Sequence, residues 1–85
     1  MARVWTNARN LCGEVDPLEF ASDDGASLHP GGWPGCRRGC WEVCAEVDGR
    51  AVRLAVYPGE TGRTPQEEAD ELLDRLAAGW RPVNW

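Results

Sequence analysis

The chain contains no lysine. All nine of its basic residues are arginine, set against fourteen acidic ones, for a formal net charge of −5. Phosphate affinity rests on clustered Lys and Arg, so this balance argues against direct nucleic-acid binding. Exclusive use of Arg alongside abundant Ala and Gly is the habit of a GC-rich genome and carries no mechanism. Long apolar runs are also missing. No stretch approaches the ~20 residues of a membrane span, and Met1 to Asn10 lacks the apolar segment of a signal peptide. The expectation is a cytoplasmic protein with reduced thiols and no membrane contact. With one His, His29, and no Gly-rich loop placed between a strand and a helix, the catalytic inventory is thin. No cofactor and no enzymatic activity are expected. Eighty-five residues make one domain, 1–85, able to remove only ~60–65% of its unfolded surface from water, and five tryptophans help such a small core.

What is present is concentrated between Trp41 and Leu76. Trp41 to Val47 and Arg50 to Tyr57 are β-capable runs joined by Asp48-Gly49, the dipeptide that a type I′ turn favours because both central positions need positive φ. A two-residue loop fixes the register: Val47 opposes Arg50, Ala45 opposes Val52, Val43 opposes Leu54 and Trp41 opposes Val56. These apolar residues share one face. Cys40, Glu42, Cys44, Glu46, Ala51, Arg53, Ala55 and Tyr57 fall on the other, where Arg53 lies opposite Cys44 and beside Glu42 and Glu46.

Thr64-Pro65-Gln66-Glu67 reads as a capping box, with Thr64 as N-cap, Pro65 at N1 and Glu67 reaching back. Ala69, Leu72, Leu73, Leu76 and Trp80 follow at helical spacing, and Gly79 supplies the stop. The expected fold is α+β: a small antiparallel sheet of two to four strands around a central hairpin at about 41–57, covered on one face by an amphipathic helix at about 64–78.

The amino-terminal half reads as long and irregular. Arg3 to Thr6 suits a short strand with Val4 inward and Trp5 facing away. Around Pro17 a turn and then a brief strand or helical turn present Leu18 and Phe20. Ala21 to Gly39 is broken by Asp23-Asp24-Gly25, His29-Pro30-Gly31-Gly32 and Trp33-Pro34-Gly35, and so long a loop needs tying down, with Trp33 and Cys36 as the ties.

Cys12, His29, Cys36, Cys40 and Cys44 are the candidate metal ligands, with zinc as the possible ion. The Cys36-x3-Cys40-x3-Cys44 spacing is not that of a zinc knuckle. On one extended strand, moreover, Cys40 and Cys44 stand roughly 13 Å apart at ~3.3 Å per residue, too far to share an ion. Metal ligation, unligated half-buried thiols and one disulfide from Cys12 to Cys36 or Cys40 are the three alternatives.

Leu11-Cys12-Gly13-Glu14-Val15-Asp16-Pro17-Leu18-Glu19-Phe20 resembles the start of the WhiB-like iron–sulfur regulators, in which a first Cys precedes an Asp-Pro-x-x-Phe run and three more follow. That resemblance implies a cluster or zinc regulator built on Cys12, Cys36, Cys40 and Cys44. The remaining cysteine gaps depart from the family's. Strand, turn, strand, loop and helix is also similar to the closing half of a double-stranded RNA-binding domain, but this helix is acidic where those need basic residues.

The helix acids Glu67, Glu68, Asp70, Glu71 and Asp74, with Trp33 and Trp85 as aromatic anchors, are the candidate partner-binding residues. The functional expectation is a non-catalytic, acidic protein-interaction module that binds a protein with a basic surface. An inhibitor of a nucleic-acid-acting complex, of the anti-CRISPR or antirestriction type encoded by phages and mobile elements, fits that description. The alternative is the zinc- or iron–sulfur-dependent regulatory module.

Overall fold

A computed structural model of the chain describes residues 3–9, 15–31, 40–57, 62–83 and 85. Five strands, β1 (Trp5–Arg9), β2 (Val15–Ser22), β3 (Ser27–Pro30), β4 (Trp41–Val47) and β5 (Arg50–Val56), precede one helix, α1 (Pro65–Ala77). The strands pair antiparallel in chain order, β1-β2-β3-β4-β5. The fold is therefore α+β with a helix on one sheet face, as the sequence indicates, and with a wider sheet than the expected two to four strands.

The β4–β5 hairpin has the register that Asp48-Gly49 dictates, from Val47↔Arg50 to Trp41↔Val56. Asp48 and Gly49 both take positive φ, 54° and 76°, which a type I′ turn requires and which Gly supplies without strain. At the helix, Thr64 accepts from the Glu67 amide while the Glu67 side chain accepts from the Thr64 amide, so the capping box is complete. Gly79, at φ 108°, closes the other end. Its amide donates to Leu76 and that of Trp80 to Arg75, at 3.2 and 2.9 Å, the paired bonds of a Schellman motif.

The described residues of the amino-terminal half are not irregular. They supply three of the five strands, and a hairpin turn occupies the Asp23-Asp24-Gly25 breaker: the Gly25 amide donates to Ser22, and the Ser22 amide to Ala26. β3 lies inside the segment expected to be loop. Phe20, Leu28, Val43 and Leu54 then form one cross-strand row, and Leu28 and Val43 are fully buried. Ala26, Leu28, Val43, Val56, Ala69, Leu73 and Leu76 make one hydrophobic cluster, so both halves share a core.

Two inward-facing assignments are corrected. Trp5 packs on that cluster and Val4 is exposed, because Trp5 pairs with Ser22 on the helix side of the sheet and its indole N–H reaches the Asp70 carboxylate at 2.6 Å. Trp80 is 43% exposed, since the Schellman turn redirects the chain before that position can extend the Leu stripe.

Candidate functional site

The helix acids are held by neighbours within the chain. Glu67 is part of the cap. Glu68 lies 3.3 Å from Arg63. Glu71 takes charge-assisted bonds from Arg63 and, at 3.0 Å, from Arg75. Asp70 accepts from Trp5, and Asp74 pairs at 2.7 Å with Arg3, which also holds Asp24 at 2.5 Å. Arg63, first through its hydrogen bond, keeps the Glu71 carboxyl below the ordinary range. An open furrow along this face brings together Glu67, Asp70, Glu71, Asp74, Arg63 and Arg75. Its carboxylates outnumber its guanidinium groups, so it stays net acidic although each carboxylate has a partner within the chain.

Trp85 is half-buried rather than projecting. The Arg50 guanidinium stacks over its ring at 4.1 Å and that of Arg81 lies 5.8 Å away, cation–π contacts worth ~0.5–1 kcal/mol each at such sites. Arg81 also grips Asp48 through two nitrogens, at 2.7 and 3.1 Å. Trp85 thus works as a clasp between the tail and the hairpin turn. Trp33 lies outside the described residues, as do Cys12 and Cys36.

The helix-free sheet face carries a second polar cluster. Glu42, on β4, is only 9% exposed; its carboxylate accepts from the Arg53 guanidinium and, at 3.3 Å, from the Cys44 thiol. The Arg53 bond is the main cause holding the Glu42 carboxyl below its ordinary value; burial opposes it and the Cys44 bond assists. On the facing strand, His29 sits with Nδ1 3.5 Å from Glu19 and Nε2 3.0 Å from the Ser27 hydroxyl. The strand alternation anticipates Arg53 beside Glu42 and Cys44. The arrival of His29, Ser27 and Glu19 depends on β3, whose signal is the brief period-2 run Ser27-Leu28-His29.

Cys44 lies within β4, and Cys40 immediately precedes the strand. Cys44 is a free thiol. Burial, then the Glu42 carboxylate, pushes it up, the opposite of the activation a nucleophilic cysteine needs. Cys40 is disulfide-bonded, and in that form its sulfur is no thiolate ligand. Such bonds persist in oxidising compartments. Among the described residues, no three His, Cys, Asp or Glu side chains are grouped as a metal would need, and no helix is long and apolar enough to cross a membrane. Comparison of the chain with protein-family models, curated proteins and solved structures finds no match.

Proposed function

We propose that the chain is a non-catalytic interaction module that presents a rigid, net-acidic helix face to a protein with a basic surface. The observation that carries this reading is the furrow over α1. Its carboxylates are oriented by a capping box and by Arg63, Arg75, Arg3 and Trp5, so little side-chain freedom remains to be lost when a partner docks. Fixed carboxylates offer charge complementarity to Arg- and Lys-rich surfaces, which are what nucleic-acid-handling proteins expose. An inhibitor that occupies such a surface in place of nucleic acid, of the anti-CRISPR or antirestriction type, is the specific form proposed.

The test is affinity capture from host lysate with the immobilised chain, followed by calorimetric titration of the captured protein at about 50 and about 500 mM salt. The isosteric variant Glu67→Gln/Glu71→Gln/Asp74→Asn is titrated in parallel. The proposal expects wild-type affinity to fall steeply with salt and the variant to bind at least about tenfold more weakly at low salt. Equal affinity of the two proteins, or salt-independent binding, would overturn it.

A further inference from the structure

The two edges of the sheet are built differently. Along β1 the pairing slips between Asn7 and Arg9, an irregularity of the kind that protects an edge from strand addition. β5 has no such defence. It pairs with β4 at every position from Arg50 to Val56 without a slip, contains no Pro or Lys, and no described strand lies on its other side.

Which backbone groups of β5 are open follows from the hairpin. A two-residue loop makes its closing pair, Val47–Arg50, hydrogen-bonded. The alternation of an antiparallel ladder then turns the N–H and C=O groups of Val52, Leu54 and Val56 toward β4, and those of Ala51, Arg53 and Ala55 outward. Val52 and Val56 are buried on the helix side. On the other face Arg53 stands between two alanines with its charge met by Glu42, so the centre of the edge carries no uncompensated charge. At its end Tyr57 is 52% exposed.

We infer that β5 is a self-pairing edge through which two copies of this chain join, antiparallel, into one continuous sheet. Among twofold axes through Val52, Arg53 and Leu54, at the middle of the strand, the residue pattern favours one register. A twofold axis through Arg53 would set two guanidinium groups directly opposite each other. An axis through Val52 would place Leu54 against Arg50 and leave Ala55 to Tyr57 unpaired. An axis through Leu54 avoids both: Leu54 meets its own copy, Val52 meets Val56, Arg53 meets Ala55 and Ala51 meets Tyr57. In that register the outward groups of Arg53 and Ala55 exchange hydrogen bonds, the helix-side pairs are all apolar, and Tyr57 is covered. The rim above this edge carries Glu68, Glu71 and Arg75, both signs rather than one. Because each copy has a net charge of −5, added salt favours the pairing.

Sedimentation equilibrium of the full chain over a concentration series tests this. The mass should rise from 9.4 kDa to twice that value and stop, since each copy has one such edge. Ala55→Pro removes an outward N–H and leaves the β4 ladder intact; it should weaken the dimer about thirtyfold through two lost hydrogen bonds. Ala55→Arg sets like charges opposite Arg53 and should weaken it about fivefold. Thermal unfolding of both variants verifies the fold, and where Ala55→Pro does not fold, Ala55→Arg decides. A chain that stays at monomer mass at every concentration, a series that grows past the dimer, or a dimer indifferent to the folded variants overturns the inference.

Discussion

The two halves of this protein reach the same core by different routes. From Trp41 onward, order is set close in sequence: Asp48-Gly49 folds β4 on β5, and Thr64 and Glu67 start the helix within one turn of each other. The first strand pairs with its sequence neighbour β2, but the side chains that dock this amino-terminal segment on the helix reach far along the chain, the Trp5 indole to Asp70 and Arg3 to Asp74, 65 and 71 residues away. Closing such long loops costs entropy before any contact repays it, so the amino-terminal strands depend on a core that the rest of the chain supplies. Five substitutions probe how deep that difference goes.

The largest effects belong to the shared core. Leu28 is fully buried on β3 and Leu73 nearly so on α1, and truncation of either to Ala should cost about 2–5 kcal/mol in urea unfolding. If the amino-terminal strands merely decorated a self-sufficient hairpin and helix, Leu28→Ala would cost under about 1 kcal/mol while Leu73→Ala stayed severe. Trp5→Phe keeps an aromatic ring but loses the pyrrole ring whose N–H bonds Asp70. We expect a loss of about 1.5 kcal/mol, and an unchanged midpoint would mean that this long-range tie adds nothing. Thr64→Ala removes a local device, the N-cap, at a cost of about 1 kcal/mol, read as a lower midpoint at constant denaturant slope.

The smallest effect is electrostatic. Glu42 titrates below its ordinary value of 4.5, chiefly because of Arg53. A carboxyl lowered on folding contributes stability that is present above its unfolded value and lost as pH falls through the folded one. Acid unfolding should therefore steepen below about pH 4.5, and Glu42→Gln should flatten that limb. Parallel acid limbs in the two proteins would remove Glu42 from the account.

Legibility followed the same division. The hairpin register, the capping box and the Gly79 stop could be read because each depends on a few adjacent residues with one dominant conformation. β3 could not. Its four residues, Ser27–Pro30, are followed by Gly31-Gly32, and they become a strand by pairing with β2 across a tight turn and with β4 across an intervening segment. The orientation of β1 was likewise hidden, since either Val4 or Trp5 could face inward until the Asp70 carboxylate offered the indole a partner. The helix acids were legible as a charged face, but their arginine partners Arg3 and Arg63 come from outside the helix, so periodicity could not show how far that face is internally neutralised. Alternation puts Cys44 on the helix-free face, but its raised pKa follows first from its own burial and then from the Glu42 carboxylate beside it, and alternation alone reveals neither.

The central claim is that three amino-terminal strands and the hairpin–helix unit form one cooperative core despite their unequal local signals. Native-state hydrogen exchange measures this most directly. The account predicts that the best-protected amides of β2 and β3 open with the same free energy and denaturant dependence as those of β4 and α1. Exchange of β2 and β3 through a separate, lower-energy opening, with β4, β5 and α1 still protected, would contradict it.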